Sequence, residues 1–359
     1  MGWIRRSASF IKIAYGMACE QGLHKMLREL HRAYTQHARP RKSRFKPTSI
    51  EWEITTHCNL ECTMCRRSFG LAETRELKHM NLRLFSDLLQ RFPFLELISF
   101  RGGGEPILHP RIVEIAEKVA GKGMKLSLFT NGMAMKPSLA RELLSVPVSE
   151  IVFSIDAGRP DTYARIRRKG NLEQVLAHLE QVREQIAAHP NGTALSVMFI
   201  LMRSNYHEFP ELLRRIDGKG ISALVAKHVN PGFNPDVSEE LLQPSEEKEF
   251  RNMVRSLRSN ETRVIYSQEL YESQNQGERL CSRIWETPFV TVEGDLSLCP
   301  MTFYNAKINY GNVMDSGFNK LWNCTDIKEH RRQIASKELK ICNTCPIMRD
   351  WNGHPEQEA

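Results

Sequence analysis

The chain has 359 residues, of which 41% are apolar and 26% charged, enough for a large core in one domain or in a domain with an appendage. No apolar run approaches the length that crosses a bilayer, and Phe10–Ala18 is short, broken by Lys12 and without a small-residue cleavage site, so neither a membrane span nor a signal peptide is expected. The net charge of +8 is uneven: residues 1–46 hold eleven Lys and Arg against two Glu, a surplus of +9 that leaves the rest of the chain near neutral and argues against a nucleic-acid-binding catalytic face. Nine cysteines in a long chain with no export signal read as metal ligands in a reducing cytoplasm rather than as a disulfide framework.

The basic segment 1–48 reads as helix. Phe10, Ala14, Met17 and Ala18 form one apolar face, and Leu23, Met26, Leu27, Leu30 and Tyr34 another. Arg39-Pro40-Arg41-Lys42 ends it as a linker. Such a segment packs on the body as a helical pair, or docks on an acidic partner or membrane surface.

From Ser49 onwards strands and helices alternate. The expected strands are Ile50–Thr55, Leu95–Phe100, Met124–Phe129, Glu150–Ile155, Ala194–Leu201 and Ser222–His228. Helical patterns fall between them near Leu82–Arg91, Pro110–Gly121, Lys136–Ser145, Leu172–Ala188 and His207–Asp217. Six βα steps imply an α/β fold with a parallel sheet whose chemistry sits on loops leaving the strands' C-terminal ends. The alternation stops near residue 235. Beyond it come a helix near Ser245–Arg258, a polar stretch through Gly277, a hairpin over Phe289–Cys299 turning at Glu293-Gly294-Asp295, and helices near Phe318–Trp322 and Asp326–Ser336.

The cysteines form two sets. Cys58, Cys62 and Cys65, in the frame C-x₃-C-x₂-C directly after the first strand, can hold three irons of a cubic [4Fe–4S] cluster and leave the fourth open to a second molecule. A zinc site or unrelated thiols would also tolerate the spacing, although structural zinc prefers four ligands and His57 lies too close to Cys58 to complete a knuckle. The second set is Cys281, Cys299 and the pair Cys342 and Cys345, for which a Cys₄ zinc site is the rival to a fully ligated cluster. Cys19 and Cys324 read as buried apolar residues.

The triplet, its loop and the strands after it resemble the radical S-adenosylmethionine (SAM) superfamily. Arg101-Gly102-Gly103-Gly104-Glu105-Pro106, one βα unit later, looks like that superfamily's GGE motif, where glycine lets a ligand's amino group approach backbone and Glu105 or a carbonyl accepts its hydrogens. The resemblance implies a partial (β/α)₆ TIM-like barrel over residues 49–235. It also implies a SAM-binding [4Fe–4S] cluster on Cys58, Cys62 and Cys65, and a SAM site lined by Gly103, Gly104, Glu105, Asn131, Ser154 and Asp156, with Arg203 a contact to SAM or substrate. The residue before the third cysteine, often aromatic in the superfamily, is Met64 here; a thioether still packs on an adenine, and Phe69 is a substitute. Residues 236–359 resemble a SPASM/twitch extension, with Gly311-Asn312-Val313 and Leu321-Trp322 as its usual accompaniment. Asp350-Trp351-Asn352 stands where a further cysteine is usual, which favours the shorter twitch form, with one auxiliary [4Fe–4S] cluster on Cys281, Cys299, Cys342 and Cys345.

The implied activity is reductive cleavage of SAM to a 5′-deoxyadenosyl radical that takes a hydrogen atom from the substrate, fed by a flavodoxin- or ferredoxin-type donor. A closed auxiliary cluster suits net oxidation of a small polar metabolite such as a sugar or cyclitol, with Arg203, Lys227 and His228 as candidates for proton transfer. The alternatives are a maturase acting on a ribosomally made peptide and a non-catalytic iron–sulfur or zinc protein.

Overall fold

The computed structural model describes residues 40–43, 46–68, 75–188, 192–232, 234–267, 281, 283–343 and 345–346. The basic helices expected before residue 40, Cys19, Phe69 and the Asp350-Trp351-Asn352 stretch lie outside them.

One nine-stranded sheet organises the chain. Its strands are β1 (Ser49–Trp52), β3 (Leu97–Phe100), β4 (Lys125–Thr130), β5 (Glu150–Ser154), β7 (Ala194–Leu201), β8 (Ala223–His228), β9 (Arg263–Tyr266), β10 (Phe289–Val290) and β11 (Leu296–Ser297). They run in the order β11-β10-β1-β3-β4-β5-β7-β8-β9, parallel throughout except for the β10–β11 hairpin. The six expected strands are therefore present and adjacent, as a radical SAM partial barrel requires. The intervening helices are Leu82–Arg91, Ile112–Ala120, Pro137–Leu144, Leu172–Ala188 and Phe209–Ile216, with a further one at Pro160–Ile166.

Alternation along the strands decides which side chains meet. On β1 and its continuation, Ile50, Trp52 and Ile54 are buried in the layer between sheet and helices, while Glu51, Glu53 and Thr55 take the opposite, inner face. Trp52 packs on Phe85 at 4.9 Å between ring centres and on Phe92 at 5.6 Å. Phe85 comes from the helix Leu82–Arg91, whose first turn is capped by Asn81 Oδ1 accepting from the Arg83 amide at 2.8 Å. Emptying this layer by Phe85→Ala would cost about 3–5 kcal/mol, the usual price of a buried aromatic. The inner face is polar instead: Ser127 and Ser196 both donate to Glu150, at 3.1 and 3.0 Å.

The sheet does not end where the βα alternation ends. β9 extends it beyond β8, and β10 pairs with β1 through Glu51↔Phe289 and Trp52↔Val290, so both edges of the six-stranded barrel are covered by later chain. The stretch after Arg258, expected only as polar, thus contains a strand. Arg263-Val264-Ile265-Tyr266 is too short to announce itself among polar neighbours, and β8 supplies the pairing that makes it one.

Residues 40–43 pack on the C-terminal part. Trp285 Nε1 donates to the Pro40 carbonyl at 2.8 Å, and Asn323 exchanges hydrogen bonds with the Ser43 backbone at 3.0 Å. Beneath them the fully buried Arg331 lies over the Trp322 ring at 4.4 Å and donates to the Trp322 carbonyl at 3.0 Å. Among the described residues no helix is long and apolar enough to cross a membrane.

Candidate functional site

The loop after β1 carries the first cysteines. Cys62 lies in a two-residue strand, β2 (Glu61–Cys62), paired antiparallel with β6 (Arg167–Arg168), so that Cys62 faces Arg167. The Cys65 amide donates to the Cys62 carbonyl at 3.0 Å, and Thr63 is held from both sides, by the Ile166 carbonyl at 2.9 Å and the Asn234 side chain at 2.6 Å. These bonds fix the turn that presents the three thiols. Burial pushes Cys58 up to about 11 and Cys62 to about 12, and also raises Cys65, so iron must displace protons to be bound by these thiols. Polar hydrogens stand at the rim: Arg167 Nη1 is 3.9 Å from Cys62 Sγ and Asn131 Nδ2 is 3.9 Å from Cys58 Sγ. Such contacts tune an iron–sulfur centre.

The glycine run lies against this loop. A Cβ built on Gly104 would stand 2.2 Å from the Thr55 carbonyl oxygen and 2.8 Å from that of His57, so no other residue fits there. The next amide, of Glu105, donates to the His57 carbonyl at 2.7 Å. The Glu105 carboxylate is buried and occupied: Oε2 accepts from the Asn131 amide at 2.6 Å and Oε1 from the Ile107 amide at 3.4 Å, while burial pushes it up to about 7. Glu105 therefore shapes the loop, which leaves backbone as the receiving surface.

Three other expected ligand contacts are placed differently. Asp156 is fully buried; Oδ2 takes Arg167 at 2.7 Å and Oδ1 accepts from the Ile200 amide at 2.8 Å. It orients the arginine that reaches Cys62 instead of facing a ribose. Asn131 is buried too and gives its side-chain amide to Asn59 Oδ1 at 2.9 Å, bracing the cysteine loop. Arg203, expected in the pocket as both ligand contact and proton-transfer group, is half-exposed outside the barrel and paired with Glu246 at 3.0 Å. Arg203 follows the end of β7, and its side chain turns to Glu246. Ser154 is half-buried at the end of β5, on the same inner face as Glu150.

The second set of cysteines is assembled from distant segments around one cavity of about 240 Å³. Cys281, Cys299, Cys342 and Cys345 all line it, together with Met64 from the first cysteine loop and Lys227, His228 and Asn230 from the end of β8. The four cysteines stand around this one volume. Four thiolates so arranged suit a cluster with every iron ligated. Asn230 Nδ2 lies 3.8 Å from Cys345 Sγ, and the Thr302 amide donates to Cys299 Sγ at 3.4 Å, which makes Cys299 the cap of the helix Pro300–Ala306. Cys324 stands at the N-cap position of the helix Thr325–Ala335 without a side-chain capping bond and is not among the cavity's residues.

The barrel side of the cavity is charged. Glu51 joins Arg101, at 3.0 Å, to Arg283; burial would raise its carboxyl, but the two guanidiniums hold it at about 2. Among the described residues no carboxylate lies within ion-pair distance of Lys227, and burial, then Arg101 and Arg283, lower its amine to about 7. His228 is fixed by a different group. Glu247 Oε2 stands 3.1 Å from Nε2, the Tyr266 hydroxyl bonds the same nitrogen and donates to Glu247 Oε1 at 2.6 Å, and Arg251 holds Glu247 at 2.7 Å. Glu51, Arg101, Arg283 and Glu247 were absent from the sequence expectations. The signal for Glu51 was there, in the acid–apolar alternation of Ile50-Glu51-Trp52-Glu53-Ile54; Arg283 and Glu247 carry no local mark.

Residues 52–216 match the family model of the radical SAM superfamily, and residues 281–346 that of an iron–sulfur cluster-binding domain, SPASM. The chain belongs to the radical SAM superfamily. It is an enzyme of that superfamily, with a SAM-binding [4Fe–4S] cluster, auxiliary iron–sulfur ligation and SAM as its cofactors. It is 29% identical over 183 residues to the tungsten-containing aldehyde ferredoxin oxidoreductase cofactor-modifying protein of Pyrococcus furiosus, covering 50% of this chain and 51% of that one. To the mycofactocin maturase MftC of Mycolicibacterium smegmatis it is 22% identical over 307 residues, 83% of this chain and 75% of the maturase. Its fold superposes on that of Streptococcus suis SuiB, crystallised with the precursor peptide SuiA, with a TM-score of 0.69 at 13% identity, over 92% of this chain and 75% of SuiB. The radical SAM match ends at residue 216 and the SPASM match begins at 281, so β8, β9, His228 and Glu247 fall between them.

Proposed function

We propose that this radical SAM enzyme modifies a ribosomally made peptide. The observation that carries the peptide over the sugar or cyclitol is the similarity to a maturase along 83% of the chain. The fold shared with SuiB supports the same reading. Oxidation of a small metabolite, the leading expectation from the cysteine layout alone, gives way to it: cluster layout says how electrons leave, not what donates them.

The cavity provides the working surface. In this reading Cys58, Cys62 and Cys65 hold the SAM-binding cluster, and Gly103 and Gly104 receive the methionyl end of SAM. Cys281, Cys299, Cys342 and Cys345 hold one auxiliary cluster, the twitch arrangement. Reductive cleavage of SAM, fed by a flavodoxin- or ferredoxin-type donor, supplies the radical that removes a hydrogen atom. The chain's own residues then do three things. Met64, Ile200 and Met301 wall the cavity and keep water from the substrate side chain. Arg101, Glu51 and Arg283 form a rigid charged floor that orients polar substrate groups. His228, backed by Glu247, and Lys227, whose amine lies at about 7, take up a proton at the cavity wall.

The test is anaerobic reconstitution with SAM and reductant, offering the short peptides encoded beside the gene and, separately, free sugars and cyclitols. Formation of 5′-deoxyadenosine together with a mass change in a peptide supports the proposal. Turnover of a free sugar or cyclitol, with every peptide unchanged, would sink it.

A further inference from the structure

Glu53 is a heavily bonded buried charge, and neither cysteine set nor substrate cavity includes it. Its side chain is fully buried on the inner face of the strand that leads to Cys58. Oε1 accepts from the Gly103 amide at 2.8 Å, from Arg75 Nη1 at 2.9 Å and from the Tyr304 hydroxyl. Oε2 accepts from Arg75 Nη2 at 2.6 Å and from the Val292 amide at 3.3 Å. Five donors saturate one carboxylate, and they come from four separate parts of the chain, Arg75 being one. Gly103 belongs to the glycine run, Val292 to the β10–β11 turn, and Tyr304 to the helix whose cap is Cys299. The backbone presses close as well: a Cβ on Gly102 would stand 2.7 Å from Glu53 Cβ. Arg75 is tied outward to Glu293 at 2.7 Å and lies over the Phe303 and Tyr304 rings at 5.2 and 5.7 Å.

We propose that Glu53 is a positioning residue that ties the SAM-receiving glycine run to the auxiliary-cluster domain, so that the seat of the Cys299 helix sets how well SAM is held. The path is short and made of directional bonds: Cys299 caps its helix, Tyr304 on that helix grips Glu53, and Glu53 fixes the Gly103 amide. A buried carboxylate that loses one donor does not relax into solvent; it redistributes over the donors that remain, and the glycine run moves with it. The proposal rests on the reading of Gly103 and Gly104 as the SAM cradle.

The experiment measures SAM binding to the anaerobically reconstituted enzyme, by equilibrium dialysis and by the change SAM causes in the electron paramagnetic resonance spectrum of the reduced first cluster. Tyr304→Phe, which removes one neutral donor that reaches the cradle only through Glu53, should weaken SAM binding about threefold. Glu53→Gln should weaken it about tenfold or more, since it puts a donor opposite an amide and takes from Arg75 one of its two carboxylates, Glu293 being the one that remains. The double variant should bind no more weakly than Glu53→Gln, because Tyr304 acts only through Glu53. The effect should appear in KM for SAM and in the spectrum while iron content stays at the wild-type value. Unchanged SAM binding in both single variants, with binding lost in Gly104→Ala, overturns the proposal and leaves the cradle standing. Unchanged binding in Gly104→Ala removes the cradle itself. If Glu53→Gln does not fold, Tyr304→Phe decides alone.

Discussion

The two cysteine sets are built in opposite ways. The first lies within eight consecutive residues on one loop, held by the local bond from the Cys65 amide to the Cys62 carbonyl and braced at Thr63 by Ile166 and Asn234. The second draws on four positions spread over sixty-five residues, brought together around a cavity by the β10–β11 hairpin and the helices after it. A contiguous loop can present ligands as soon as it closes, because closure of a short loop costs little. A dispersed set needs the domain around it to be folded first. In the proposed reading the first set leaves a corner for SAM, and the second, which borders the chamber where Lys227 and His228 stand, closes on itself. The same residue type would then serve binding in one place and electron uptake in the other, through ligand count and placement.

The contrast can be broken at its strongest point first. Cys58→Ala should abolish 5′-deoxyadenosine formation altogether and lower iron from about eight to about four per chain, the content of one cube; retained SAM cleavage would mean that the radical chemistry starts elsewhere. Gly104→Ala follows: with a carbonyl oxygen 2.2 Å from the new Cβ, SAM binding should weaken at least about tenfold, read by dialysis. Cys281→Ala should also lose about four irons, yet keep cleaving SAM, so that 5′-deoxyadenosine accumulates without modified peptide. Full product formation in that variant would remove the second set from the reaction.

The smallest effect concerns Lys227. Its amine titrates at about 7 in the fold, below the value of a free lysine, so between about 7 and 10 the unfolded chain binds the extra proton and stability rises with pH. The burial penalty is fully present below pH 7 and fades above it. Thermal midpoints of the reconstituted enzyme should therefore climb from pH 7 to pH 9 in wild type, and less steeply in Lys227→Met. Identical slopes would show that the amine is not held in its low-dielectric position.

Much of this was legible in the chain itself. The C-x₃-C-x₂-C frame, the glycine run one βα unit later and the six strands are local patterns, and each appears where its spacing puts it. The strand Ala194–Leu201 is a nearly continuous apolar run, and the helices Leu82–Arg91 and Leu172–Ala188 carry helical periodicity. Other assignments failed for a shared reason: a polar residue at a strand's end can turn to either side of the sheet, and neighbours distant in sequence decide which. Asp156 turned inward because Arg167 and the Ile200 amide waited there, and Arg203 outward because Glu246 did.

What the sequence alone settled was chemistry that depends on neighbours a few residues away: the thiol triplet, the glycines that admit a ligand to backbone, the alternation that makes a parallel sheet. Only the tertiary structure decided which charges face the chamber, that β9 and β10 seal the barrel's edges, and that Glu53 joins the glycine run to the helix behind Cys299. Those outcomes are pairings between groups far apart along the chain, and a buried charge takes its position from whichever partners the folded protein delivers to it.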